Sequence, residues 1–140
     1  MPLIREQLSK GKTVQFKPKG TSMLPMLRQN IDSVVLAPLP EKLKKYDLPL
    51  YQRDNGQYVL HRIVAVGDTY TCIGDNQYVY EHGVRPDQMI GLVVGFYRDA
   101  EYHSVTQLSH RMYRVLWHRS RKLRPRVRHV LIAIKRRIKK

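Results

Sequence analysis

The amino-acid sequence predicts a mostly β protein, in which a small and strongly bent antiparallel β-domain is followed by a basic amphipathic helical tail. Over residues 13–98, short apolar segments rich in β-branched residues are separated by turn residues, which is typical of closely spaced antiparallel strands. Beyond Tyr102 the apolar residues recur at spacings of three and four, the period of a helix. We therefore expect a β-domain over residues 1–102 and a helical extension over 103–140.

The first elements are predicted from local patterns. Residues 3–10 fit one or two helical turns. Val14 and Phe16 alternate with polar residues in the segment TVQFKPKG, which is the period of a half-buried strand. The β-branched segment DSVVLAPL at 32–39 predicts a second strand, and a charged connection follows at 41–50.

Two hairpins and one buried strand come next. Asn55-Gly56 separates two alternating runs within residues 49–66 and favours a type I′ turn, because both residue types tolerate positive φ. A second hairpin is predicted around Gly67-Asp68. The nearly continuous apolar segment MIGLVVGFYR at 89–98 predicts a last strand that is buried on both faces. Together these segments make about six strands, enough for a small β-domain.

The tail predicts two amphipathic helices separated by Pro125. The first would carry on one face Val105, Leu108, Met112, Val115 and Leu116. The second has Arg and Lys around its polar side and would carry on its apolar face Val127, Val130, Leu131, Ile134 and Ile138.

The net charge of +15 lies almost entirely in this tail. Residues 111–140 hold 13 of the 26 Lys and Arg residues and none of the 11 acidic residues, so the first 110 residues carry only +2. Such a charge predicts an anionic partner. Three interpretations stay open: an anionic membrane surface with Trp117 at the interface, nucleic acid, or the domain's own apolar edge. The apolar faces favour the membrane over nucleic acid, because phosphate binding alone does not require them.

Composition and segment lengths exclude several classes of protein. The single cysteine, Cys72, excludes an intramolecular disulfide framework and a multi-cysteine zinc site. No segment has the apolar core of a signal peptide, and no run of about 18 apolar residues predicts a transmembrane helix. We therefore expect a cytoplasmic protein that is peripheral at the membrane.

The segment GTSMLPML at 20–27 presents one serine, Ser22, directly after the first predicted strand. A nucleophilic serine needs an exposed Oγ and nearby N–H groups for the developing oxyanion, and a bend that contains glycine supplies both. The same residues also suit an ordinary turn, so the local sequence leaves both interpretations open.

A serine nucleophile requires a base within hydrogen-bonding distance. Residues 55–66 contain no lysine, and Lys42, Lys44 and Lys45 belong to a charged, solvated segment. His61 stands in the middle of a predicted strand. His82 is expected in a loop. The remaining histidines are expected in the basic tail, facing solvent or lipid headgroups: His103, His110, His118 and His129.

An acid that orients the imidazole is offered by Asp75 or Glu81 in the segment IGDNQYVYEHG. Asp75 in Gly-Asp-Asn is also a good turn residue, and Glu81 could be plain surface charge. The sequence alone does not choose between them.

The order of the segments GTSMLPML, LHRIVAV, GDNQ and MIGLVVGF resembles the signal peptidase I and LexA-type superfamily of serine peptidases over residues 13–97. The His61-Arg62 pair followed by Gly74-Asp75-Asn76 is similar to the endoplasmic-reticulum-type branch, whose base is a histidine rather than a lysine. The resemblance implies a mostly β catalytic domain in which Ser22 is the nucleophile and His61 the general base.

Further roles are also implied by the resemblance. Glu81 or Asp75 would complete the triad, Thr21 and the Ser22 amide would contribute to the oxyanion hole, and Met23 would help to shape the substrate cleft. Gly20 stands where many relatives carry a hydroxyl group.

The predicted function is therefore a serine endopeptidase that cleaves a peptide or protein precursor with a signal-peptide-like or leader-like segment. It would need no metal and no cofactor, and the 111–140 tail would contact an anionic membrane. The alternative is a non-catalytic module that uses the β-domain as a scaffold for membrane or nucleic-acid binding. The two hypotheses differ in whether Ser22 and His61 meet.

Overall fold

The computed structural model describes residues 2–19, 22–28 and 31–121, together with the single residues 123, 125, 131 and 134. Gly20 and Thr21 lie outside the described residues, and so does most of the second predicted tail helix at 127–138.

The fold is mostly β, as predicted, with nine strands and two helices among the described residues up to 121; the single residues 123, 125, 131 and 134 are helical as well. In chain order the elements are α1 (Pro2–Ser9), β1 (Val14–Phe16), β2 (Ser33–Ala37), β3 (Pro49–Gln52), β4 (Tyr58–Leu60), β5 (Arg62–Val66), β6 (Tyr70–Ile73), β7 (Glu81–Val84), a 3₁₀ turn (Pro86–Gln88), β8 (Met89–Arg98), β9 (Glu101–Ser104) and α2 (Leu108–Arg119). Within this part of the chain, neither helix is long and apolar enough to cross a membrane.

The strands form two antiparallel sheets. The larger sheet has the order β1-β2-β8-β3-β4, and β9 pairs with the second half of β8. The smaller sheet has the order β5-β6-β7. The chain passes from the larger sheet to the smaller one between β4 and β5, which gives the domain its bend.

Strand β8 is the centre of the larger sheet and matches the predicted apolar segment 89–98. It pairs with β2, β3 and β9, and no residue along it is exposed. Its near-continuous apolar sequence is explained by burial on both faces. The main core also contains residues of the serine turn, Met23, Met26 and Leu27.

The hairpin at Asn55-Gly56 forms, but the predicted type I′ turn is wrong. Gly56 has φ +90°, whereas Asn55 is not among the residues with positive φ, which a type I′ turn would require. The Gly56 N–H donates to Arg53 O (2.9 Å), and Arg53 N–H donates to Gln57 O (2.8 Å). This is the three-residue hairpin loop in which a type I turn is followed by a glycine in the left-handed conformation.

A further hairpin, which the sequence analysis missed, connects β8 to β9. Its two loop residues, Asp99 and Ala100, have φ of 53° and 66°. The type I′ geometry therefore occurs here, without the Asn-Gly pair that signals it. As a result the sheet continues to Ser104, beyond the expected domain boundary at residue 102.

The predicted positions of three histidines are also wrong. His103 lies in strand β9 rather than in the basic tail. His82 belongs to strand β7 rather than to a loop. His110, expected to face solvent or lipid, is 5% exposed because α2 packs its ring against Phe96 and Tyr113. His129 lies outside the described residues.

Candidate active site

Ser22 begins a tight turn that is anchored by apolar side chains. The turn spans residues 22–27, and Leu27 N–H donates to Met23 O at 3.0 Å. Met23, Met26 and Leu27 are buried in the main core, which leaves Ser22 half-buried at the domain surface. The run of Met, Leu and Pro after the serine is therefore explained by packing, and it fixes the position of the serine backbone.

The Gly74-Asp75-Asn76 loop, between β6 and β7, lies directly against this turn. Asn76 N–H donates to Ser22 O at 2.8 Å, and a Cβ on Gly74 would lie 2.5 Å from the same oxygen. Only a glycine lets the two backbones approach so closely. Two of the segments that carry the family resemblance are thus in contact through their main chains.

His61 does not lie in the middle of a strand, contrary to the prediction. It is the single residue between β4, which pairs in the larger sheet, and β5, which pairs in the smaller sheet. Adjacent side chains of extended backbone point to opposite sides. His61 accordingly faces Tyr51 and Glu81, whereas Arg62 faces Asp75.

The hydrogen bonds around His61 define its tautomer. His61 Nδ1 lies 3.3 Å from Tyr51 Oη and 4.0 Å from Glu81 Oε1. Tyr51 O–H donates to Glu81 Oε1 at 2.9 Å, so the tyrosine has no proton left for the imidazole. Neutral His61 must therefore carry its proton on Nδ1, which donates to Tyr51 Oη, and Nε2 holds the lone pair.

Glu81 is fixed by a second partner, Arg53. The Arg53 guanidinium donates to both carboxylate oxygens at 2.7–3.2 Å. Partial burial raises the pKa of Glu81, but the hydrogen bonds from Arg53 and Tyr51 outweigh this effect and hold the pKa below its usual range. Glu81 is therefore a carboxylate at neutral pH.

Burial determines the protonation of His61. The residue is 6% exposed, and desolvation lowers its pKa to about 4. The charge of Glu81 opposes this shift and that of Arg53 adds to it. His61 is thus neutral at pH 7, the state in which Nε2 accepts a proton.

Asp75 lies in a different network and has no hydrogen bond to His61. Its carboxylate accepts two hydrogen bonds from Arg62, at 2.9 and 3.0 Å, and one from Tyr113 O–H at 2.7 Å. The Asp75 carbonyl accepts from Trp117 Nε1 at 2.7 Å. Burial opposes ionisation of Asp75, but the adjacent Arg62 keeps its pKa below the usual range. This buried pair joins β5, the 74–76 loop and α2.

One cavity of about 370 Å³ is lined by both Ser22 and His61, and also by Met23 and Arg53. This volume lies in the range of ligand pockets. Among the described residues, Ser22 Oγ forms no hydrogen bond with His61. His61 Nε2 has no hydrogen-bond partner among them and is accessible to solvent. Thr21, predicted beside the oxyanion hole, lies outside the described residues.

Tyr51 and Arg53 are the site residues that the sequence analysis missed. The β3–β4 hairpin pairs Tyr51 with Val59 and thereby brings it near His61, two positions further along. The predicted two-residue turn would have paired Tyr51 with Leu60 and placed it on the other face of the hairpin from His61, so only the observed three-residue loop indicates Tyr51. Nothing local in the sequence indicates that Arg53 pairs with Glu81, because that contact depends on how the smaller sheet folds onto β3.

No group of three or more His, Cys, Asp or Glu that could hold a metal ion occurs among the described residues. Comparison with known proteins gives no match for this chain, neither to a family model, nor to a curated protein, nor to a solved structure.

Proposed function

We propose that the protein is a serine endopeptidase, in which Ser22 is the nucleophile and His61 the general base. Glu81 supports the base through Tyr51. The observation that carries this proposal is the shared cavity: Ser22 and His61, far apart in sequence, line one pocket, and a fixed carboxylate lies behind the imidazole. A hydroxyl, a neutral imidazole and an acid in this order are the components of acyl transfer.

The proposed reaction follows from the tautomer. His61 Nε2 accepts the Ser22 Oγ proton while Oγ adds to the substrate carbonyl. The resulting imidazolium keeps its Nδ1–H bond to Tyr51 Oη, and the Glu81 carboxylate at 4.0 Å stabilises its charge. The imidazolium then protonates the leaving amine, and a water molecule hydrolyses the acyl-enzyme with His61 again as the base.

The acid of this proposal is Glu81 and not Asp75. A carboxylate that stabilises an imidazolium must lie near the imidazole, and Glu81 meets this condition. Asp75 is engaged by Arg62 and Tyr113 and holds the loop against the serine turn. We therefore assign Asp75 a structural role.

The proposed substrate is the extended leader-like or signal-like segment of a peptide or protein precursor. We further propose that the protein acts peripherally at an anionic membrane, where such precursors gather. The cavity is open on one side and has apolar walls from Met23 and Leu27 beside the charged Arg28 and Arg53. These walls suit a small apolar side chain next to the scissile bond.

The test compares cleavage by purified wild-type protein and by the variants S22A, H61Q and S109A. Ser109 is exposed on α2 and serves as the matched control. Each protein is incubated with a library of precursor leader peptides, and mass spectrometry identifies the products. We expect identical products from wild type and S109A and none from S22A or H61Q. Cleavage by S22A at the wild-type rate would overturn the proposal.

The natural substrate need not be in the library, so the same variants are also compared in cells. Mass spectrometry of protein N-termini then identifies precursors that are cut in wild-type and S109A cells and remain uncut in S22A cells. If the sets of N-termini are the same in all three strains, the alternative of a non-catalytic binding module replaces the peptidase proposal.

A further inference from the structure

Helix α2 has two faces of different character. One face packs on the domain and consists of His110, Tyr113, Trp117 and, two residues beyond the helix, Arg121. These positions follow one another at three or four residues and so lie on the same side of the helix. This face is polar and aromatic rather than aliphatic.

The aliphatic face points away from the domain. Leu108, Met112 and Leu116 are 71%, 52% and 59% exposed, and their spacing of four residues makes a continuous stripe along α2. Leu123, Leu131 and Ile134 are exposed to a similar degree. The sequence analysis grouped Val105 with the stripe, but Val105 packs on the main core.

Basic residues border this stripe. Arg111 and Arg119 are exposed on α2, and the sequence from 111 to 140 contains no acidic residue that would neutralise them. A row of apolar side chains flanked by positive charge is complementary to a bilayer whose headgroups are anionic. Nucleic acid would match the charge, but it offers nothing to cover three leucine- and methionine-sized side chains.

We propose that the outward face of α2, formed by Leu108, Met112 and Leu116 with Arg111 and Arg119, is a docking surface for an anionic lipid bilayer. The helix lies in the interface with its stripe among the acyl chains and its arginines at the headgroups. Trp117, the expected interfacial anchor, does not take part, because its indole N–H is bound to the Asp75 carbonyl on the opposite face.

This surface is independent of the chemistry at Ser22, since none of its residues lines the candidate cavity. The proposed surface also differs from membrane binding by the charge of the tail alone. A charged tail requires only the 13 basic residues of 111–140, whereas this proposal requires three exposed apolar side chains within the described helix.

The test measures co-sedimentation of the full chain with phosphatidylcholine vesicles and with vesicles that also contain phosphatidylglycerol. The stripe variant is L108Q/M112Q/L116Q, and the matched control is V79Q, which changes a side chain that is 82% exposed on another surface. All four of these side chains are exposed, so the fold should persist, and circular dichroism checks this. A third variant, R111Q/R119Q, tests the charge.

We expect wild type and V79Q to bind the anionic vesicles and to bind phosphatidylcholine weakly. The stripe variant should lose at least about tenfold in partitioning, because the apolar part of interfacial binding scales with buried area. The arginine variant should lose about 25-fold, at about fivefold for each of the two cations near an anionic surface.

Three results would overturn the proposal. The first is anionic-vesicle binding by the stripe variant equal to that of wild type, which would leave the charge alone responsible. The second is a wild-type dimer in light scattering that becomes monomeric in the stripe variant, which would make a second copy the occupant. The third is duplex DNA binding that depends on the stripe while vesicle binding does not.

Discussion

Mild acid should destabilise the folded protein through its two buried histidines. Burial lowers the pKa of His61 and of His110 to about 4 each. In the unfolded chain an imidazole has a pKa of about 6.5, so the unfolded state binds protons first as the pH falls. The two histidines therefore leave the free energy of unfolding unchanged above about pH 6.5 and lower it progressively between about pH 6.5 and about pH 4.

The size of the effect follows from these two pKa values. At about pH 5, an imidazole with a folded pKa of about 4 and an unfolded pKa of about 6.5 costs about 2 kcal/mol of stability. His61 and His110 together should cost about 4 kcal/mol, a large part of the 5–15 kcal/mol typical of a domain. Carboxylates add little in this range, because they begin to protonate in the unfolded chain only near pH 4.

The measurement is urea-induced unfolding at about pH 7.5 and about pH 5 for wild type, His61→Gln and His110→Gln. Each substitution changes the absolute stability, so the informative quantity is the difference between the two pH values within one protein. Wild type should lose about 4 kcal/mol and each variant about 2 kcal/mol. Any contribution of His118 is common to all three proteins and cancels.

One result would refute the reasoning about His61. If His61→Gln loses as much stability between the two pH values as wild type does, His61 is not held neutral by its surroundings. The proposed base would then be protonated in weak acid and unable to accept the Ser22 proton there.

Two further predictions concern the loop behind the serine. Gly74→Ala should destabilise the protein by about 1–3 kcal/mol in urea unfolding, because the new Cβ meets Ser22 O and overpacking of this kind costs that much. The control is Gly67→Ala, whose Cβ would meet no atom closer than 3.7 Å and which should change stability little. An equal loss of stability in both variants would contradict the prediction. Tyr113→Phe should cost about 1.5–3 kcal/mol, because a hydrogen bond to the buried Asp75 carboxylate is removed, and an unchanged midpoint would show that this bond does not hold α2.

A strand was predictable where a single hydrophobic pattern in the sequence corresponded to a single strand in one sheet. Strand β8 is almost entirely apolar and none of its residues is exposed, so its limits are those of the apolar segment. The run from Tyr58 to Val66 is equally apolar, but the chain changes sheets at His61. Sequence periodicity does not indicate in which sheet a residue pairs, so it could not predict the change of sheet at His61. Strand β9 was missed because its turn has Ala100 at the second left-handed position, where glycine is the residue that signals a type I′ turn.

The residues of the candidate site were more predictable than the contacts between them. The order of the motifs indicates Ser22 and His61, and the structure brings both to one cavity. The sequence does not distinguish Glu81 from Asp75, because the distinction depends on which side of β5 each carboxylate faces. Arg62 provides the missing signal: a buried cation next to His61 requires a buried anion, and Asp75 in the adjacent loop provides it.

The tail illustrates a limit of hydrophobic periodicity. An aliphatic stripe normally identifies the face of a helix that packs on its own domain. In α2 the packed face is polar and aromatic instead, and Tyr113 and Trp117 both bind Asp75. The periodicity of α2 therefore predicts its helical structure correctly, but it does not indicate which face of the helix packs on the domain.

This orientation makes α2 part of the domain that holds the candidate nucleophile. Tyr113 and Trp117 fix Asp75, its neighbour Asn76 donates to Ser22 O, and the Asp75 amide contacts Met23 Sδ at 3.4 Å. A truncation near residue 104 would remove the positive charge and the support of the serine turn together. It would therefore confuse loss of membrane binding with loss of the site. Substitutions confined to the outward face of α2 avoid this, because they leave Tyr113 and Trp117 in place.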